Sequence, residues 1–76
     1  MEKILEILTD LRPEFDFRTS SNFIEDGLLD SFDMIALVSR LEEDYHILID
    51  GLDIVPENFT SVEAIINVIH KNGGIV

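Results

Sequence analysis

The predicted fold depends on one stretch of sequence, DSFDMIALVSRLEEDY, which occupies residues 30–45. Its apolar residues recur at intervals of three and four, the spacing that places side chains on one face of an α-helix. Asp30 is a favourable N-cap, and Asp33 adds a second carboxylate to the first turn, where negative charge stabilises a helix. We therefore predict a helix that begins at Asp30 or Ser31 and ends near His46. Its buried face is predicted to comprise Met34, Leu37, Val38, Leu41 and Tyr45.

Another helix and a long connection are predicted to precede this stretch. Apolar residues at helical spacing predict a helix from Glu2 to Leu11, and Pro13 ends it because proline disfavours helix at the residue before it. The connection from Arg12 to Leu29 is long for a compact domain unless it packs or functions. We therefore expect its three phenylalanines to pack in the core. They are Phe15, Phe17 and Phe23.

After the central helix, the sequence predicts a connector and a short helical turn. Ile47-Leu48-Ile49 is expected to be extended but not a strand, because no second strand is evident to pair with it. Asp50-Gly51 is typical of a turn, and a short helical turn is expected between Gly51 and Val55, ended near Pro56.

A third main helix is predicted near the end of the chain. Thr60 and Glu63 have the spacing of a capping box, which would open this helix, and Gly73-Gly74 would end it. Its apolar face is predicted to comprise Val62, Ile65, Ile66 and Ile69. The chain is therefore predicted to be one domain over residues 1–76, with an all-α fold of three main helices and one short helix.

Composition excludes several functional classes. The 76 residues include no cysteine, which excludes disulfides and thiolate metal sites. No ligand spacing surrounds His46 or His70, so no metal site is expected.

Sixteen acidic residues face five basic ones, and the net charge of −11 would repel nucleic acid phosphates. The apolar stretches are far shorter than the ~20 residues of a membrane helix, and Met1-Glu2-Lys3 leads directly into an amphipathic segment. We therefore expect a cytoplasmic protein with no nucleic-acid partner, no membrane insertion and no secretory signal.

The charge is one-signed over most of the chain. Between Thr19 and His70 the only basic residue is Arg40, whereas acidic side chains recur throughout that span. Such a surface could serve only solubility, or it could steer basic partners to a docking face.

Phe32 is the apolar residue that does not fit the buried face of the central helix. At about 100° per residue, it points roughly 160° away from that face. Ile35 lies at the margin, and Ser39 and Glu43 share the outer side with Phe32. The sequence leaves two possibilities: the connection from Arg12 to Leu29 covers Phe32, or partner proteins contact it as part of a small apolar patch fringed by acids.

Ser31 directly precedes Phe32 at the start of the helix. Backbone N–H groups and the helix dipole favour a phosphate at this place. Position alone does not separate that role from an ordinary one, because serine is also a common helix cap.

Residues 23–33, FIEDGLLDSFD, resemble the modification site of acyl and peptidyl carrier proteins. In that family an Asp-Ser-Leu-type tripeptide opens the second helix, and its serine takes phosphopantetheine from coenzyme A. The resemblance continues through residues 41–45 and 56–65 and covers the chain from about Leu5 to Ile69. Phe32 stands where leucine is commoner, and the run Gly-Leu-Leu-Asp-Ser is more similar to the discrete D-alanyl carrier proteins, which work with adenylating ligases, than to fatty-acid carriers.

The resemblance implies a four-helix bundle of the acyl-carrier type and a carrier that is not an enzyme. Ser31 would bear the covalent phosphopantetheine arm, whose thiol holds an acyl or aminoacyl group as a thioester for partner enzymes of a biosynthetic pathway. Asp30 would orient Ser31. The docking surface would combine the apolar patch with acidic side chains. Its residues would be Phe32, Asp33, Ile35, Ser39, Glu42, Glu43 and Asp44.

The implied partners are a phosphopantetheinyl transferase and an enzyme that loads the arm, either an adenylating ligase or an acyltransferase or synthase. The carrier would be a monomer. The cargo stays open between fatty acyl, aminoacyl and polyketide groups, because the loading enzyme selects it. The alternative is a protein of a different class, an acidic helical interaction module that needs no cofactor.

Overall fold

The computed structural model describes residues 2–75, and within that range the chain is all-helical. The three α-helices are α1 (Glu2–Leu11), α2 (Ser31–Tyr45) and α3 (Val62–Lys71). Three short 3₁₀ turns occupy the connections, at Phe17–Thr19, Gly51–Asp53 and Pro56–Phe59. The prediction of an all-α fold is confirmed. The predicted short helix is a 3₁₀ turn at Gly51–Asp53, and a second 3₁₀ turn follows it where no helical structure was expected.

Helices α1 and α2 pack side by side and antiparallel. The Nζ of Lys3, in the first turn of α1, lies 4.8 Å from the ring centroid of Tyr45 at the end of α2. At the other end, Nη1 of Arg12, just after α1, lies 3.2 Å from Oδ2 of Asp33 in the first turn of α2. The end of α1 is therefore placed beside the start of α2.

One apolar core lies between the helices and the loops. The predicted buried face of α2 is confirmed, with Tyr45 half-buried and its other four residues buried. Burial of apolar surface is the main favourable contribution to folding, at about 25 cal/mol per Å². The largest fully buried side chains are Phe23, Phe59, Ile4, Ile7, Leu8, Leu37, Leu41, Ile65 and Ile69.

The long connection before α2 packs through its aromatic residues, as expected. Phe17 and Phe23 are buried and meet edge to face, with ring centroids 5.1 Å apart, and Phe15 packs against Phe17 from a half-buried position. The backbone N–H of Phe23 donates to the carbonyl of Thr60 at 2.8 Å, and its own carbonyl accepts from the N–H of Leu29 at 3.2 Å. The connection is therefore held at both the start of α3 and the approach to α2.

Residues 47–50 after α2 have no regular secondary structure, and no strand occurs in residues 2–75, as predicted. His46 ends α2 in the left-handed region, with φ of 56°, and its N–H donates to the carbonyl of Glu42. Ile47 and Ile49 are buried, whereas Leu48 between them is 83% exposed. The alternation follows from extended backbone, in which successive side chains point in opposite directions.

The start of α3 corrects the predicted capping box. The N-cap is Ser61, whose Oγ accepts a hydrogen bond from the N–H of Ala64 at 3.1 Å. Thr60 has helical backbone angles at the end of the preceding 3₁₀ turn, so it cannot adopt the extended conformation of an N-cap. That turn begins at Pro56, which was expected to end helical structure, because proline fits the first position of a helix.

The predicted stop after α3 is confirmed, and it places Gly74 against the core. Gly73 has φ of 87°, a conformation that favours glycine. A Cβ added to Gly74 would overlap the side chain of Ile69 and would lie 3.3 Å from the Cγ2 of Ile47. Both isoleucines are buried, so neither has free space into which to move.

Asp53 is the buried acidic residue of the core region, 5% exposed. Its carboxylate accepts hydrogen bonds from Nζ of Lys71 at 2.7 Å and from Nδ2 of Asn72 at 3.3 Å. The hydrogen bond from Lys71 is the main cause that lowers the pKa of Asp53, and burial opposes it. The same hydrogen bond raises the pKa of Lys71. This cluster ties the 3₁₀ turn at Gly51–Asp53 to the end of α3.

Gly74→Ala is expected to destabilise the protein by about 1–3 kcal/mol, because the added methyl group overpacks the contact with Ile69 and Ile47. Gly51→Ala is the matched control, since nothing lies within 4 Å of a Cβ added at Gly51. Urea unfolding of the two variants measures the difference. Equal unfolding midpoints for the two would contradict this packing.

Asp53→Asn is expected to weaken the loss of stability in acid. Because the pKa of Asp53 is lower in the folded protein, Asp53 stabilises the fold at pH values above the unfolded carboxyl pKa of about 3.9. This stabilisation is lost as the pH falls through the pKa of Asp53 in the folded protein. Lys71 has the opposite sign: its contribution is present below the unfolded pKa of about 10.4 and is lost as the pH rises through the raised native value. Urea unfolding at a series of acid pH values measures this change in stability. The control variant is Glu25→Gln, because Glu25 is exposed. If the free energy of unfolding fell as steeply with decreasing pH in Asp53→Asn as in the wild type, this role of Asp53 would be contradicted.

Candidate functional site

Ser31 is the first residue of α2, and its side chain is exposed. Its backbone is held on both sides, because Leu29 two residues earlier and Met34 three residues later are buried in the core. Gly27, with φ of 75°, turns the chain toward this segment. Ser31 therefore presents a hydroxyl to solvent from a fixed point of the backbone.

The start of α2 is a complete capping box that does not use Ser31. Oδ1 of Asp30 accepts a hydrogen bond from the N–H of Asp33 at 2.9 Å, and Oδ2 of Asp33 accepts one from the N–H of Asp30 at 3.1 Å. Asp30 is the N-cap, as predicted. The possibility that Ser31 serves as the cap is therefore wrong, and its hydroxyl is not committed to that role.

The capping interaction also sets the charge state of Asp30. The hydrogen bond from the backbone N–H of Asp33 is the main cause that lowers the pKa of Asp30, and the positive charge of Arg12 lowers it further. Asp30 is therefore a carboxylate at neutral pH, beside the Ser31 hydroxyl in sequence.

The outer face of α2 carries exposed apolar residues, which decides between the two possibilities that the sequence left open for Phe32. Phe32 is 83% exposed and Ile35 is 63% exposed, so the long connection does not cover Phe32. Ser39 and Glu43 are exposed as well. Residues three and four apart share one side of a helix, so Phe32, Ile35 and Ser39 form a continuous strip, which we call the outer strip.

The structure gives other partners to several acids that were expected to dock partner proteins. Asp33, with a side chain only 14% exposed, contacts Arg12. Glu42 accepts a hydrogen bond from the N–H of Ile49 at 2.9 Å. Asp44 pairs with Arg40, four residues earlier on α2. Of the predicted acidic docking residues, Glu43 is the one whose side chain points to solvent.

Arg12 is a residue of this site that sequence reasoning missed. Its Nη1 lies 3.2 and 3.4 Å from the two carboxylate oxygens of Asp33, 21 positions along the chain. Its guanidinium also lies 5.2 Å from the ring centroid of Phe15, and its Nε lies 3.2 Å from the Oε2 of Glu14. The available signal was its place directly after α1, because antiparallel packing of α1 on α2 brings that end to the first turn of α2.

A cleft of about 580 Å³ opens between the long connection and the start of α3. Its apolar floor includes Leu5, Phe17 and Phe23, and Arg18 and Glu63 are among its polar residues. None of the residues predicted for the site lines this cleft. The cleft is therefore a feature separate from Ser31 and the outer strip.

Two further classes of site are absent from the part of the chain that the structure describes. No group of three or more histidine, aspartate or glutamate side chains there is arranged to hold a metal ion. None of the helices in residues 2–75 has the length and apolar character needed to cross a membrane.

Comparisons of the chain with protein-family models, with curated proteins and with solved structures find no match in any of the three.

Asp30→Ala is expected to loosen the first turn of α2, because the N–H of Asp33 loses its hydrogen-bond acceptor. Amide hydrogen exchange by NMR should show faster exchange at Asp33, while the amides of α3 keep their rates. Asp30→Asn is the matched control, since asparagine caps helices about as well as aspartate. Unchanged exchange at Asp33 in Asp30→Ala would show that the box does not hold this turn.

Proposed function

We propose that this protein is a carrier whose Ser31 bears a phosphopantetheine arm donated by coenzyme A. The arm would hold an acyl or aminoacyl group as a thioester and present it to partner enzymes of a biosynthetic pathway. The observation that supports this most is the exposed hydroxyl of Ser31 at the first position of a helix that another residue, Asp30, already caps.

The attachment step makes use of that hydroxyl. The Oγ of Ser31 would attack the phosphorus next to the pantetheine group in coenzyme A, and the bond to the bridging oxygen of the diphosphate would break. Adenosine bisphosphate leaves, and the hydroxyl proton passes to a base on the transferase. The chain has no cysteine, so the thiol for the thioester comes with the arm.

The surroundings of Ser31 suit a phosphate ester. The first backbone N–H groups of α2 and the positive end of its dipole favour an anion at this place. The nearby carboxylates of Asp30 and Asp33 accept hydrogen bonds from the backbone, and Asp33 also pairs with Arg12, so part of their negative charge is offset. In this proposal Asp30 orients Ser31 by fixing the start of the helix.

The outer strip is the proposed docking surface for partner enzymes. Phe32 and Ile35 expose apolar area directly beside Ser31, where an enzyme that acts on the arm must approach. Glu43 and the net charge of −11 favour partners with a basic rim, mainly by steering their encounter. The partners are a phosphopantetheinyl transferase and a loading enzyme, either an adenylating ligase or an acyltransferase or synthase.

The same proposal includes a fold of the acyl-carrier type, in which the 3₁₀ turns at Gly51–Asp53 and Pro56–Phe59 occupy the place of a fourth, short helix. It also takes the carrier to be a monomer that works in the cytoplasm.

The test is attachment of the arm in vitro. The purified apo protein is incubated with coenzyme A, magnesium and a broad-specificity phosphopantetheinyl transferase, and its intact mass is measured. We expect the wild type and Ser21→Ala, an exposed serine of the long connection, to gain the mass of one phosphopantetheinyl group, and Ser31→Ala to gain none. No gain in the wild type, or a gain that persists in Ser31→Ala, would refute the proposal.

A second candidate is an acidic helical interaction module that needs no cofactor. The exposure of Phe32 and Ile35 favours it independently of Ser31, because an apolar strip suits any protein partner. This candidate requires that partner binding is unchanged in Ser31→Ala and that protein from the native host carries no added mass, so the two candidates give opposite results.

A further inference from the structure

We infer that Arg12 is a positioning residue for Ser31, acting through Asp33 and the capping box of α2. This inference rests on the proposed function of Ser31. It assigns a role to a side chain that lies outside the segment of sequence around the serine.

One oxygen atom links Arg12 to the backbone beside Ser31. Oδ2 of Asp33 accepts the hydrogen bond from the N–H of Asp30 at 3.1 Å and lies 3.2 Å from Nη1 of Arg12. Asp30 is the residue directly before Ser31. The contact that fixes the backbone next to the serine is therefore made by a carboxylate that Arg12 holds in place.

The partial burial of this pair gives it more weight than an ordinary surface ion pair. The side chains of Asp33 and Arg12 are 14% and 30% exposed. Exposed ion pairs contribute little to stability, because water and salt screen them. A half-buried carboxylate that loses its partner must instead become hydrated or move. Loss of Arg12 should therefore change the position of the Asp33 carboxylate.

Arg12 also contacts two residues of its own connection. Its guanidinium contacts the ring of Phe15, and its Nε lies beside the carboxylate of Glu14, both in the connection that follows α1. These contacts and the pair with Asp33 place the positive charge of Arg12 beside the first turn of α2. Because Ser31 lies between Asp30 and Asp33, attachment of a phosphodiester puts a third negative charge in this turn, and Arg12 supplies a positive charge against it.

The test compares Arg12→Gln with Arg12→Lys, which keeps the charge, and with Arg40→Gln as matched control. Arg40 also links α1 to α2, with Nη2 3.2 Å from Oδ2 of Asp10, but it lies away from the first turn of α2. Asp33→Asn serves as a second route, because it keeps a side-chain oxygen for the N–H of Asp30 and removes the charge that holds Arg12.

Two measurements are made on each folded variant. The first is the exchange rate of the Asp30 amide, which donates to Oδ2 of Asp33, relative to the amides of α3. The second is kcat, and KM for the carrier protein, in attachment of the arm from coenzyme A. We expect Arg12→Gln and Asp33→Asn to lower kcat about tenfold with a smaller change in KM, since misplacement of a reacting group lowers the rate of the chemical step. Exchange at the Asp30 amide should quicken because its acceptor, Oδ2 of Asp33, is no longer held. Arg12→Lys should restore most of kcat and of the exchange protection, and Arg40→Gln should change neither.

Wild-type kcat in Arg12→Gln, or an equal loss in Arg40→Gln, would overturn the inference and leave the proposed function standing. If no variant and no wild-type protein accepts the arm, the proposed function fails. The exchange rates then decide the role of Arg12: faster exchange confined to the first turn of α2 supports it, and unchanged exchange refutes it. If Arg12→Gln does not fold, the same two measurements on Asp33→Asn decide.

Discussion

The reciprocal hydrogen bonds between Asp30 and Asp33 determine where α2 begins, and much of the molecule follows from that one position. A helix that started one residue later would lose this pair of bonds, because each residue advances the helix by about 100°. With the start fixed, the apolar face of α2 faces α1 and the core, and Phe32 faces solvent. The same start leaves Ser31 as an exposed residue with no part in capping.

Most of the five basic residues of this acidic chain contact a residue of another element. Lys3 joins the start of α1 to the end of α2, Arg12 joins the end of α1 to the start of α2, and Lys71 joins α3 to the turn at Gly51–Asp53. Lys3 and Lys71 are themselves exposed, but sixteen acidic residues outnumber the five basic ones, so the outer surface keeps its acidic character. A partner that approaches α2 therefore meets apolar side chains surrounded mainly by negative charge, which favours a complementary basic rim.

The features that could be predicted from the sequence are those that depend on neighbouring residues. The spacing of apolar residues predicted α1 and the buried face of α2, because helical periodicity is a local property. The spacing placed Phe32 opposite that face, but whether the long connection covers Phe32 is set by tertiary packing. The N-cap at Asp30 could also be predicted, because capping involves only residues that are close in sequence. The role of Thr60 could not be predicted, since both Thr60 and Ser61 can cap a helix and the choice depends on the 3₁₀ turn at Pro56–Phe59, after which Thr60 has helical backbone angles. The partners of Asp33, Glu42 and Asp53 are likewise tertiary contacts, which leave no periodic signal.

The extended segment after α2 exposes Leu48 because its neighbours Ile47 and Ile49 are both buried, so backbone geometry leaves this leucine no inward direction. This has a consequence for colloidal behaviour. At neutral pH the net charge of −11 keeps copies of the protein apart, although each presents Leu48 at one end of α2 and Phe32 at the other. As acid neutralises the carboxylates, that repulsion disappears while the exposed apolar side chains remain, Leu52 and Ile75 among them, and copies of the protein can then associate through these side chains.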